Sequence, residues 1–490
     1  MRAGTAATGN PARPPAPVIT RRGWHTLFIT SISLCLVSMD VTIVSVALPD
    51  IRRTFDDVSA ATLSWVFTAY NITFAALLLI AGKVADRYGR KLTFLAGLGL
   101  FVAASAGAAL APSVDILIAT RAVQAVGGAL IYPASLALLL PEFPVERRSL
   151  ALGVWGGIAG LSAALAPTLG ALLVDWVGWR AVFMVNVPFV AVAFVAGTSV
   201  LKEAKGENPR ERFDAIAVPV AAAAIGLLVL GVVQGEDWGW ADARILGCFV
   251  AAAVLLPLFL VRSARHPRPL LDLDLFRIRS FSVASLANVL FVGGFFGWVV
   301  LFPSFLIGVW GWSALAAGFA LAPGPALSAL LSPFAGRLAD HLGHRWLVAG
   351  GLAVGALGPF WWAVSIDEHP HFVTDMLPGS ILVGIGAAAG FGTLTGATMR
   401  EVPPRFYSMA GATRSTMFQL ASAVGIALSV ALLGTPSPDQ AVAAYARSWW
   451  LAAVTTAAAA VVIGVAFPGR SRPLVHRPLE PEPSMGAGCG

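Results

Sequence analysis

About fourteen apolar stretches, most of them some 20 residues long, follow one another between residues 25 and 467. Twenty residues of α-helix rise about 30 Å, the thickness of a bilayer's hydrocarbon core. Inside lipid the chain itself must satisfy every backbone N–H and C=O, so stretches of this length are expected to be helices. The expected fold class is an all-α membrane protein with about fourteen transmembrane helices, with twelve or thirteen as the alternative counts. Composition agrees, since 57% of the residues are hydrophobic and only 12% charged, against about 25% charged in soluble domains.

Charge sets the orientation. With a cytoplasmic N-terminus, the outer loops hold only Arg52, Arg53, Arg180, Arg244 and Arg447 of the 33 Lys and Arg residues. Lys and Arg concentrate on the cytoplasmic side of membrane proteins, so both termini are expected to be cytoplasmic. The formal charge of +7 then reflects topology rather than affinity for nucleic acid. Two basic residues lie inside spans, Arg121 and Arg414. Of the 26 acidic residues, Asp40 alone lies deep inside an apolar run, WHTLFITSISLCLVSMDVTIVSVALP. A carboxylate at that depth costs at least about 2.5 kcal/mol and is kept where it pairs with a cation, faces a water-filled cavity or takes up a proton. Asp40 is therefore the candidate proton carrier, the alternative being a static pair within the bundle.

Residues 1–22, rich in Pro, Ala and Gly, read as a disordered cytoplasmic arm, and 468–490 as a disordered cytoplasmic tail. The apolar run after the arm is too long for a cleaved signal peptide. Cys35, Cys248 and Cys489 are scattered and imply neither a disulfide framework nor a metal site. His369 and His371 read as part of a solvated outer loop. No metal, cofactor or nucleotide is expected: Gly82-Lys83 is followed by Val84, not by the Ser or Thr that completes a phosphate loop.

The segment GKVADRYGRK at 82–91 recurs as GRLADHLGHR at 336–345. Gly82, Asp86, Gly89 and Lys91 match Gly336, Asp340, Gly343 and Arg345, with Arg90 completing the basic end of the first copy. Glycines allow a tight turn between helices, and Asp and Arg can cap helix ends and clamp one face by charge. Internal repeats of this kind mark the two halves of a transporter.

These loops resemble the signature of the major facilitator superfamily. The copies follow spans 2 and 10, eight helices apart rather than six, which implies a 6 + 2 + 6 arrangement similar to the superfamily's 14-helix drug/proton antiporter branch. The expected organisation is an N-terminal half at 23–201, a linker with two extra helices at 202–280 and a C-terminal half at 281–467. Further similarity lies in MDVTIVSVALP, with Asp40, Thr42 and Pro49, in RAVQAVGGA, which puts Arg121 and Gln124 on one helix face, and in WRAVFMVNVP and PLLDLDLF. GLSAALAPTLGALL contains Pro167 and Gly170 of the antiporter element, although Ala166 and Ala171 replace its usual glycines. In span 13, Phe418 rather than Arg precedes Gln419, and the membrane arginine is Arg414.

The resemblance implies no enzyme but proton-coupled efflux of small amphipathic compounds, such as drugs or antibiotics, by alternating access in the cell's inner membrane. A metabolite or nutrient symporter of the same fold is the alternative. Asp40, Arg121 and Gln124 would carry proton coupling, Gln124 being equally readable as a polar link between helices. The repeated loops would form a cytoplasmic gate. Trp155, Phe295, Phe296, Trp298 and Arg414 could line the substrate cavity, lipid-facing packing being the alternative for the aromatics. The expected partners are a small-molecule substrate, protons and the lipid bilayer, and the expected state is a monomer.

Overall fold

The computed structural model describes residues 19–55, 58–144, 147–203, 214, 216–267, 269–434 and 436–469. The arm and tail expected at the two ends lie outside the described residues except for their innermost positions, as does the start of the linker. The helices are α1 (Arg21–Thr54), α2 (Ala60–Tyr88), α3 (Arg90–Ala109), α4 (Val114–Leu139), α5 (Arg148–Val177) and α6 (Arg180–Val200). Then come α7 (Ala217–Val233), α8 (Ala243–Arg265), α9 (Arg279–Gly308) and α10 (Ala316–Leu342). The last four are α11 (His344–Ser365), α12 (Phe372–Met399), α13 (Tyr407–Leu433) and α14 (Ala441–Ala466). Among the described residues there is no strand, and 11 helices are long and apolar enough to cross a membrane. Of the others, α1 and α5 run to 34 and 30 residues and α7 to 17.

Helix pairing repeats with a shift of eight. In the first half α1 packs on α5, α2 on α4, α3 on α4, and α6 on both α1 and α3. In the second, α9 packs on α13, α10 on α12, α11 on α12, and α14 on both α9 and α11. The contacts between halves obey the same rule: α2 meets α13 as α10 meets α5, and α4 meets α13 as α12 meets α5. Glycine brings these surfaces together. A Cβ on Gly153 of α5 would lie 2.6 Å from the Ser332 carbonyl oxygen of α10, and one on Gly156 3.2 Å from Cα of Gly392 in α12. Small residues let backbones approach where lipid and protein are equally apolar and packing alone drives association.

The two linker helices pair with each other, and α7 also rests on α2 and α13. Asp214, buried just before α7, accepts from the backbone N–H groups of Ile216 and Ala217 at 3.1 and 3.2 Å and from Arg262 of α8 at 2.5 and 2.8 Å. Hydrogen bonds from Arg262 hold its carboxyl below the usual carboxylate range. A lowered value contributes stability above the ordinary carboxylate pKa of about 3.9, and that contribution is lost as pH falls through the folded-state value. Asp214→Asn should lower stability by about 1–2 kcal/mol, since Arg262 is partly exposed and screened. Thermal unfolding in detergent, followed by tryptophan fluorescence, should show the variant's deficit at pH 7 shrinking on acidification.

Candidate functional site

Five helices deliver a closed polar cluster to the interior of the first half. Asp40 of α1 is fully buried, and Arg121 of α4 donates to its Oδ2 at 2.5 Å. Gln124, three residues further along the same helix, donates to Asp40 Oδ1 at 2.9 Å, and Asn186 of α6 donates to the same oxygen at 3.2 Å. Arg121 also reaches Gln124 Oε1 at 2.6 Å and the Val66 carbonyl at 3.2 Å, and its guanidinium lies 4.2 Å from the Tyr70 ring centroid. Gln124 in turn bonds Ser105 of α3 at 2.8 Å. Asn186 opens the second segment of α6, which breaks at Val185.

Sequence reasoning brought together Asp40, Arg121 and Gln124; it missed Asn186, Ser105 and Tyr70. The signal for Asn186 was available, since an amide inside an apolar span seeks a partner across helices. Chemically the cluster balances a buried carboxylate against a buried guanidinium. Besides Asp40, the guanidinium is held by the Val66 carbonyl, the Gln124 amide oxygen and the Tyr70 face.

The repeated turns sit at one end of the bundle, here termed the repeat end. Gly89 and Gly343 have φ of +118° and +87°, a backbone region that glycine enters without steric cost. Gly82 and Gly336 instead form contacts between halves: a Cβ on Gly82 would lie 2.5 Å from Cβ of Ala412, and one on Gly336 2.5 Å from the Ser149 carbonyl oxygen. Asp340 accepts from the N–H groups of Ser149 and Leu150 at 3.2 and 3.1 Å, so a carboxylate of the second half caps the N-terminus of α5. Asp86 pairs with Arg90 at 3.4 Å, and Arg90 reaches the Pro404 carbonyl at 2.9 Å. The last basic residue of each copy acts within its own half. Lys91 donates to the Thr198 carbonyl of α6 at 2.6 Å, and Arg345 to the Gly464 carbonyl of α14 at 2.6 and 2.8 Å.

Gly170 lets α5 approach α1 one turn from Asp40, where a Cβ would meet Ile43 Cγ1 at 2.8 Å. The side chains of Pro167 and Thr42 lie outside the described residues. The aromatic candidates separate into three environments. Trp298 is buried in the second half against Trp362, with centroids 4.8 Å apart, and against Phe302. Phe295 and Phe296 are half-buried in a ring cluster with Phe391 and Phe418. Trp155 of α5 meets Tyr132 of α4 edge to face at 5.6 Å. Arg414 joins none of the Asp40 cluster and donates instead to the Tyr132 hydroxyl at 3.3 Å.

Two equivalent halves of apolar helices, the first enclosing a buried charged cluster, have the architecture of a multi-pass membrane transporter. The Major Facilitator Superfamily model matches residues 30–366 and 284–484, and the chain belongs to that superfamily. It is 32% identical over 430 residues to the tetracenomycin C resistance and export protein of Streptomyces glaucescens, covering 87% of this chain and 79% of that one. It is 34% identical over 406 residues to the multidrug resistance protein Stp of Mycobacterium tuberculosis (strain CDC 1551 / Oshkosh), covering 82% and 74%. The human organic anion transporter MFSD10 (TETRAN) has the same fold, with a TM-score of 0.65 at 15% identity over 92% of this chain and 100% of that one.

Proposed function

We propose that this protein exports small amphipathic compounds, including drugs or antibiotics, across the cytoplasmic membrane in exchange for protons. The observation that carries this reading is the Asp40–Arg121 pair, buried in an apolar bundle and held by Gln124 and Asn186. Relatives named for antibiotic resistance, multidrug resistance and export support the direction and the substrate type. The chain acts as a monomer with fourteen spans and both termini cytoplasmic, the halves at 23–201 and 281–467 rocking about the contacts that Gly82, Gly153, Gly156 and Gly336 make. Asp40 carries the proton and Arg121 answers its charge. The two repeat turns latch the cytoplasmic face. Efflux from energised vesicles across a compound panel, with and without a protonophore, tests the reading: loss of efflux with the protonophore is expected, and ATP-driven efflux that survives it would remove proton exchange. Inward flux coupled to protons would identify a symporter instead.

The latch has its own test. Asp340→Ala removes the cap on α5 and a charge at that helix's N-terminus, an interaction worth up to about 2 kcal/mol when partly buried. Turnover should fall several-fold, with a smaller change in substrate affinity. A large loss of affinity at unchanged turnover would contradict the latch.

A further inference from the structure

Among the described residues, Arg414 is a buried cation without an anionic partner. Its side chain is 4% exposed, its Nε has no hydrogen-bond partner within the protein, and among the described residues no carboxylate lies within ion-pairing distance of it. Among the described residues it makes one hydrogen bond, across the two halves, from Nη2 on α13 to the Tyr132 hydroxyl on α4. The same tyrosine is flanked from α5 by Trp155, 2% exposed, whose indole Nε1 is also unpartnered within the protein. Both groups are pure donors: neither guanidinium nor indole N–H can accept. Only an acceptor satisfies them, and only an anion also offsets the charge.

The three residues share one depth. Arg414 lies seven residues from the start of α13, Trp155 seven from the start of α5 and Tyr132 seven from the end of α4, each terminus being at the repeat end. At 1.5 Å per residue that is about 10 Å inside the latch. Arg121 lies eleven residues from Tyr132 along α4, or roughly 16 Å, so the Asp40 carboxylate does not serve Arg414. One turn further along α13, on the same face as Arg414, is Phe418, whose half-buried ring meets Phe296 at 5.5 Å and Phe391 at 6.4 Å. A cation and two N–H donors thus stand next to an aromatic surface.

Resting on the export reading above, we propose that Arg414 and Trp155 recognise the ionised acid group of an aromatic substrate, a carboxylate or phenolate, whose ring system stacks on the Phe418 cluster. Parting of the halves at the repeat end takes Arg414 away from Tyr132, so the substrate's anion replaces the hydroxyl as the partner of the guanidinium during loading. In the closed form Tyr132 covers the site again.

The test is equilibrium binding to the purified full-length protein in nanodiscs, using three probes built on one polycyclic aromatic body: a carboxylic acid, its methyl ester and the corresponding primary amine. The wild type should bind the acid about tenfold or more tighter than the ester, the range expected for hydrogen bonds to a charged group, and the amine most weakly. In Arg414→Gln the acid-to-ester ratio should fall to about one, and Arg414→Lys should restore part of it. Equal loss of both ligands in Arg414→Gln, or equal or better binding of ester or amine by the wild type, overturns the proposal. The wild-type ranking decides the matter even where Arg414→Gln fails to fold. Binding in nanodiscs needs neither a proton gradient nor a direction of flux. A charge preference without outward transport would therefore sink the export reading alone, and outward transport without the preference would sink this one alone.

Discussion

For a neutral substrate, at about 100 mV and one pH unit, Asp40→Asn should reduce the several-hundredfold gradient that one proton can sustain to about one, while substrate exchange across the membrane continues. Breaking a buried ion pair from one side often costs about 3–5 kcal/mol because it strands the other charge. Here the stranded Arg121 keeps the Val66 carbonyl, Gln124 Oε1 and the Tyr70 ring, and Asn retains the carbonyl oxygen that Gln124 and Asn186 address. The variant is thus a permanent copy of the protonated state and should still insert and fold. Arg121→Gln lacks this protection, because it leaves a buried carboxylate without its cation, and should be the less stable of the two. The measurement is accumulation of a neutral substrate in proteoliposomes under a defined pH difference and potential, with counterflow at symmetric pH as the control for folding. Accumulation at the wild-type level by Asp40→Asn would place the proton elsewhere.

The parts of this site legible in the sequence were those whose cost in lipid is high. Asp40 and Arg121 stood out because a charge inside an apolar run needs a reason, and Gln124 because a spacing of three puts it on the face of Arg121. Asn186 and Ser105 are inexpensive enough to pass unnoticed among apolar residues, and only the packing of α6 against α1 and of α3 against α4 shows that they complete the cluster. The repeat was legible as two turns with glycine at Gly89 and Gly343, where local backbone conformation requires it. That Gly82 and Gly336 lie between the halves was not, because close approach to α13 and α5 depends on partners hundreds of residues away. The aromatic residues were the least legible. Trp298, packed on Trp362, and Phe418, half-buried beside Phe296, look alike in a sequence, since lipid, core and substrate surface all favour apolar rings.

Substrate charge should decide how steeply this exporter can concentrate its cargo. Across a membrane at about 100 mV, negative inside, each charge that crosses is worth about 2.3 kcal/mol, and one pH unit adds about 1.4 kcal/mol per proton. On the proposed mechanism, with one carboxylate in the cluster, one proton would enter per cycle and supply roughly 3.7 kcal/mol. A neutral compound can use all of it, for a gradient of several hundredfold. A monocation leaving the cell works against the potential and is left with about 1.4 kcal/mol, a tenfold gradient. A dication would need about 4.6 kcal/mol, more than the proton provides. A monoanion, the form that Arg414 is suited to hold, moves down the potential and raises the total to about 6 kcal/mol, roughly 10⁴-fold. Proteoliposomes under a defined pH difference and potassium-valinomycin potential, loaded in turn with matched compounds of each charge, should therefore rank anion above neutral above monocation, with no concentrative export of the dication. Concentrative dication export that disappears in Asp40→Asn would show that more than one proton enters per cycle, with Asp115 or Asp175 near the span edges as the residues to examine for the second.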